Sequence, residues 1–385
     1  MVRERGVMEL LSAVTLGVVG YGVYLALPVI LGAVARAQHL SDGQLGWLAS
    51  FELAGLTLGS LAVARYLTRA PARRLAFAAV CLALLFNGAS AFATDFHVLC
   101  GWRLLAGFAG GACYSLSLAS LAWFGDMTRN SAVLGTGYVL VASAEIAIVP
   151  WVDQRYGVRA VFFMFVCMYA VAGILLRFFP RQPQATEAQG AAVAAPADFP
   201  RVLRGVGAAC LLAIALFNAS TTTFWTYVER LGDVIGLSSA FIAGTLNVAN
   251  LATLASTWLA FMLARRFGGH LPQIVGLAIT AVALATWPMS GPPADYAIRV
   301  FLWFQILVIC IVQQISMLGT LDRTGRLAAL LPAAQGVGQS LGPVGGGFLF
   351  TLGLGFPEQL RLEAVLLIVT ALIFIGIYRR VLRSR

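Results

Sequence analysis

Residues 180–200, PRQPQATEAQGAAVAAPADFP, decide how this chain is organised. Prolines, glutamines and alanines alternate there without apolar periodicity, and that composition makes a flexible linker. On both sides, apolar runs follow one another with only short polar breaks. Six precede the linker, at 9–34, 43–64, 75–94, 97–123, 131–151 and 159–178. Six follow it, at 203–228, 238–263, 271–290, 296–319, 327–353 and 360–379. Each approaches or exceeds the ~20 apolar residues that cross a hydrocarbon core of about 30 Å. The predicted architecture is an all-α membrane protein with twelve transmembrane helices in two pseudo-symmetric six-helix bundles. The N-terminal bundle covers 1–179, a cytoplasmic linker 180–202 and the C-terminal bundle 203–385.

Composition agrees. The 385 residues are 60% apolar and 11% charged, against about 45–50% and about 25% in soluble domains. The net charge of +10 is carried entirely by arginine, for the chain has no lysine. With the N-terminus in the cytoplasm and the helices alternating, nineteen arginines fall on the inner side, among them Arg3, Arg5, Arg65, Arg69, Arg73, Arg74, Arg265, Arg266, Arg379 and Arg380. Six fall outside or at the outer boundary: Arg36, Arg155, Arg159, Arg230, Arg299 and Arg361. This asymmetry follows the positive-inside rule and predicts a multi-pass protein of the cell inner membrane with both termini cytoplasmic. The basic surface then meets anionic lipid headgroups, and no folded basic domain is left to bind nucleic acid.

Arg3, Arg5 and Ala33-Val34-Ala35 imitate a signal peptide, but the apolar run from Glu9 to about Ala35 exceeds the 7–15 residues of a secretory core and is kept as helix 1. The six cysteines show no C-x-x-C, and His39, His97 and His270 stand singly, so neither a metal nor another cofactor is expected. A monomer is expected.

A weak internal repeat joins the two halves. Leu40-Ser41-Asp42 matches Leu237-Ser238-Ser239, and Thr57-Leu58-Gly59-Ser60 matches Thr253-Leu254-Ala255-Ser256, at nearly constant offset. Over essentially its whole length the sequence resembles the major facilitator superfamily. Leu99-Cys100-Gly101-Trp102-Arg103-Leu104-Leu105-Ala106-Gly107 followed by Gly110-Gly111-Ala112 is similar to that family's helix-4 pattern, an arginine with a glycine four residues later. The turn from Gly59 through Arg65, Arg69, Arg73 and Arg74 occupies the place of its cytoplasmic signature, although Val63 stands where the pattern has an acid. Gly135-Thr136-Gly137-Tyr138 lacks the glycine-proline motif of drug antiporters, which counts against a typical drug:proton antiporter. The resemblance implies secondary transport by alternating access around a cavity lined by helices 1, 4, 7 and 10.

Charges at bilayer depth are functional candidates. Counting the helical rise, Glu52 lies roughly 14 Å below the outer end of helix 2, and Arg103 and Glu145 both lie at roughly 9 Å depth on helices 4 and 5. An Arg103–Glu145 pair is expected, with Glu52 about one turn deeper and within reach of Arg103. Glu52 and Glu145 are the proton-coupling candidates; the plainer alternative makes all three a structural ion pair and its neighbour.

Substrate-binding candidates are Arg103, Tyr21 and Tyr24 on helix 1, Tyr114 on helix 4, Asn218, Thr222 and Trp225 on helix 7, Trp303 and Gln314 on helix 10, and Gln339 on helix 11. Indoles stack and amides and hydroxyls bond a solute, but the same residues also serve interhelical bonding. Gly107 and Gly111, and Gly338, Gly342 and Gly346, have the spacing of close helix packing.

No G-x-x-x-x-G-K-[ST], G-x-S-x-G or H-E-x-x-H occurs, which excludes ATP-driven transport by this chain alone and gives no sign of an enzyme. The expected function is secondary active transport of a small organic solute coupled to protons. A transporter-like receptor, or an exporter of drugs or metabolites with a different coupling mode, is the alternative; a channel fits poorly, since no ring of charges recurs. Thiol labelling of cysteines introduced after Gln184 and after Pro357 should occur from opposite sides of the membrane. Labelling of both from one side would sink the twelve-helix topology.

Overall fold

The computed structural model describes residues 2–67, 69–124, 127–180, 205–268, 270–321 and 326–383. Of the predicted linker 180–202, all but Pro180 lies outside the described residues. Thirteen α-helices occur among the described residues: α1 Val2–Leu25, α2 Leu27–Gln38, α3 Asp42–Tyr66, α4 Ala72–Ser90, α5 Phe96–Leu121, α6 Met127–Tyr156, α7 Val158–Leu175, α8 Val206–Val234, α9 Ser239–Phe267, α10 His270–Ala285, α11 Pro293–Leu321, α12 Arg326–Thr351 and α13 Phe356–Arg383. Each predicted apolar segment corresponds to helix. The first is divided at Ala26, two residues before Pro28, whose ring disfavours the helical turn that precedes it.

Ten of these helices are long and apolar enough to cross a membrane, and the protein is a multi-pass membrane protein. Of the other two that match predicted segments, α10 has 16 residues. Helix α12 has the length but dilutes its apolar run with Gln335, Gln339, several glycines and two prolines. Large apolar side chains point outward along the spans, among them Phe77, Leu85, Trp258 and Leu372, as a hydrocarbon surrounding requires.

The helix ends explain the first match of the repeat found in the sequence. Ser41 and Gln44 cap the start of α3 reciprocally, Ser41 N donating to Gln44 Oε1 at 2.9 Å and Gln44 N to Ser41 Oγ at 3.3 Å. Ser238 Oγ caps α9 by accepting from Phe241 N at 3.3 Å. The matched serines are therefore helix caps. Asp95 does the same for α5, accepting from Val98 N at 3.0 Å. Helix α13 begins four residues before the predicted 360: Pro357 sits in its first turn, where its missing N–H costs nothing.

The contacts divide the chain into two compact units, one of the described residues in Met1–Leu40 and Phe51–Ala195, the other of those in Ser41–Ser50 and Pro196–Arg385. Ser41 and the first nine residues of α3 thus pack with the C-terminal helices. There the Asp42 carbonyl accepts from the Tyr227 hydroxyl at 2.9 Å, and its carboxylate accepts from Arg230 Nε at 2.8 Å.

Glycine sets the closest helix contacts in each unit. In the first, a Cβ at Gly55 or Gly59 of α3 would strike the Leu104 or Phe108 carbonyl of α5, and one at Gly107 or Gly111 of α5 would strike the Glu52 or Leu56 carbonyl of α3. In the second, Gly338 and Gly342 of α12 lie against the Ala215 and Ala219 carbonyls of α8. Both predicted small-residue patterns are helix seams. Gly111→Ala should lower stability by about 1–3 kcal/mol, the usual cost of overpacking, whereas Gly101→Ala meets nothing within 4 Å and should leave it unchanged or raised. Thermal unfolding of the two variants in the same detergent measures the difference.

Candidate functional site

In the first unit the buried charge gathers on three helices. Arg103 of α5 and Glu52 of α3 form an ion pair through Nε and Oε2. Arg103 Nη1 also donates to Asn87 Oδ1 at 3.0 Å and Ser90 Oγ at 3.5 Å, both on α4. The guanidinium lies 5.4 Å from the centre of the Phe162 ring. Arg103 and Glu52 are 4% and 5% exposed, so this pair is desolvated and depends on its full set of hydrogen bonds.

The expected Arg103–Glu145 pair does not form; Arg103 takes Glu52 instead. Equal depth along two helices fixes an axial level but says nothing about the direction in which each side chain leaves its helix. Glu145, on α6, is also buried, and neither of its carboxylate oxygens has a hydrogen-bond partner among the described residues. It lies against Gly22 of α1, where a Cβ would come within 2.9 Å of Oε1. Tyr169 of α7 stands within electrostatic reach of Glu52, Arg103 and Glu145 alike.

Three candidate tyrosines come together. Tyr21 packs at 4.7 Å from Tyr24 and stacks at 4.7 Å on Tyr114. Tyr138 completes the group, 5.7 Å from Tyr21, and its hydroxyl has no partner among the described residues. The sequence marks Tyr138 only through its motif. Sequence reasoning also misses Asn87 and Ser90, although two polar residues three apart in an apolar helix are a signal for them.

In the second unit, Asn218, Thr222 and Trp225 follow one another at helical spacing on α8. Gln339 of α12 donates to Asn218 Oδ1 at 3.4 Å. The Trp225 and Trp303 indoles lie 6.2 Å apart at 10°, with Phe304 edge-on to both. Phe224 and Trp287 extend this aromatic wall. Along it, Thr222 Oγ1 and Trp303 Nε1 are buried without a hydrogen-bond partner among the described residues, as are both amide atoms of Gln314, further along α11. The second unit also buries two acids, Glu229 and Glu363. Among the described residues no group of three or more His, Cys, Asp or Glu is placed to hold a metal ion.

The sequence profile of the Major Facilitator Superfamily matches residues 12–321, and the chain belongs to that superfamily. Its fold is that of a mutant of the nucleoside transporter NupG, with a TM-score of 0.80 at 11% identity over 96% of this chain and 99% of that one. It is also that of a D-xylose-proton symporter, with a TM-score of 0.75 at 16% identity over 95% of this chain and 96% of that one. No curated protein matches in sequence.

Removing one partner of a buried pair strands the other. Arg103→Ala should lower stability by about 3–5 kcal/mol, and replacing both Arg103 and Glu52 with apolar residues of similar volume should recover much of it. Thermal unfolding of the single and double variants tests this.

Proposed function

We propose that the protein is a proton-coupled secondary transporter of a small organic solute, working by alternating access in the cell inner membrane as a monomer. In this reading all twelve segments cross the bilayer, in pseudo-symmetric bundles 1–179 and 203–385 joined by a cytoplasmic linker 180–202. Both termini are cytoplasmic, and the arginines there rest on anionic lipid.

The observation that carries the reading is the wall on α8, α11 and α12. A buried donor or acceptor without a partner is costly, and here Trp303 in the stacked indole pair, Thr222 one turn before Trp225 and Gln314 three turns beyond Trp303 keep such capacity. The wall suits a solute with a flat or apolar body that carries hydroxyl, carbonyl or carboxylate groups. The two structural neighbours, a nucleoside transporter and a D-xylose-proton symporter, support a hydroxylated solute. Tyr21, Tyr24 and Tyr114 are assigned to contact with solute from the first unit. Arg103, held by three side chains, is assigned to setting the charge of Glu52 rather than to gripping solute.

Protons are assigned to Glu52 and Glu145. A proton on Glu52 cancels its attraction for Arg103 and changes the packing of α3 against α5. Glu145 has no hydrogen-bond partner among the described residues and is expensive to ionise at that depth.

A thermal-shift screen of metabolites on purified protein identifies the solute, since a ligand of the native state raises its apparent stability. Trp225→Ala should weaken the hit by about tenfold or more, roughly 1.4 kcal/mol. In liposomes, Glu52→Gln should abolish accumulation driven by a pH gradient while solute exchange continues. Accumulation equal to the wild type would make Glu52 structural and leave Glu145 to be tested the same way; binding without any flux would make the protein a receptor.

A further inference from the structure

Two buried acids, Glu229 and Glu363, take no part in this assignment. Glu363 lies on α13, seven residues from its start, and is 1% exposed. Gln359, one turn earlier on the same helix, is also 1% exposed. Gln359 Nε2 donates to Glu363 Oε1 at 2.9 Å. The other two atoms of the pair, Glu363 Oε2 and Gln359 Oε1, have no hydrogen-bond partner among the described residues. Ser220 of α8 comes close, but its hydroxyl donates to the Glu363 backbone carbonyl at 3.1 Å.

Both unsatisfied atoms are acceptors, and that identifies what would satisfy them. A second acceptor helps neither. A proton on Glu363 Oε2 converts that atom into a donor and gives the amide oxygen of the same pair the one thing it lacks. Acid and amide then make two hydrogen bonds in a ring, N–H to carboxyl oxygen and O–H to amide oxygen.

Among the described residues the surroundings offer no other compensation. From α8 the titratable neighbour is Tyr227, whose hydroxyl is committed to the Asp42 carbonyl. Helix α12 faces this place with Gly346, where a Cβ would meet Thr223, Tyr227 and the Gln359 side chain but no charge. Helix α10 brings its one histidine, His270, to the far end of α13, against Tyr378, whose hydroxyl donates to Gln273. On α13 itself, Arg361 is exposed and pairs with Glu358. An ionised Glu363 would be an uncompensated charge between packed helices.

We propose that Glu363 and Gln359 form a proton-binding site within the second unit, occupied at neutral pH and separate from Glu52 and Glu145. The site lies against the helix that carries Asn218, Thr222 and Trp225. Loss of its proton would place a bare charge at the seam of α8, α12 and α13, so the packing behind the aromatic wall would answer to protonation. The proposal does not depend on Glu52 being the coupling residue.

Infrared spectroscopy of the purified full-length protein tests it through the carboxylic-acid C=O stretch, which ionised carboxylates lack. At neutral pH the wild type should show this band, shifted in D2O. Glu363→Gln should remove one component that Glu52→Gln and Glu145→Gln retain. Gln359→Leu should keep that component but move it to higher frequency as the amide bond to it is lost. The Glu363→Gln variant is expected to fold, because two amides can re-form the ring; should it fail, the Gln359→Leu shift decides alone, and an unmoved band overturns the site. A band unchanged by Glu363→Gln means the carboxyl is ionised, which also overturns it. So does Na+ stabilising the wild type but not Glu363→Gln against choline, with no acid component present, for that would be a metal-cation site.

Discussion

A guanidinium inside an apolar helical unit must have its charge answered from several directions at once, and the meeting of Arg103 with Glu52, Asn87 and Ser90 binds α3, α4 and α5 to one another. It also explains the glycine four residues after the arginine. A Cβ at Gly107 would strike the carbonyl of Glu52 itself. Any larger residue would push α3 away and open the ion pair one turn along. Arginine and glycine are thus two halves of one device: the glycine sets the helix separation at which the charge pair closes.

The second unit repeats the principle with neutral groups. Gly338 and Gly342 bring α12 onto α8, and at that separation Gln339 reaches Asn218. The indoles of Trp225 and Trp303 then define a rigid surface beside it, because flat side chains with few torsions lose little freedom when they are held in place. Close backbone approach comes first in both units, and the placement of functional side chains follows from it.

The helices were legible because a bilayer leaves the chain little choice: each crossing must satisfy its own backbone and show an apolar surface. The Ser41 and Ser238 repeat was legible for a related reason, since helix starts have few good caps. What the sequence could not supply was the direction of side chains around a helix. Arg103 and Glu145 stand level, yet Arg103 turns to Glu52, because partner choice depends on rotation and on the glycine seam. Of the binding candidates, Tyr21, Tyr24 and Tyr114 come together, as do Trp225 and Trp303, while Gln314 makes no hydrogen bond among the described residues. Glu363 escaped notice although it falls within the predicted segment 360–379, because three residues from that start an acid reads as a boundary charge; the start of α13 at Phe356 places it two turns in. Gln359 was hidden in the same way.

The glycine seams have a mechanical meaning. Where backbone rests on backbone, no rotamers are available to exchange, and such a contact is either closed or broken. Helix α5 with the stretch of α3 from Gly55 to Gly59, and α8 with α12, therefore behave as stiff doublets. Slow rearrangement of the chain has to run through interfaces built from side chains, such as the tyrosine group and the indole wall, whose torsions can hop one at a time. The elastic parts of this molecule are its aromatic and polar surfaces, and its struts are the places where side chains are missing.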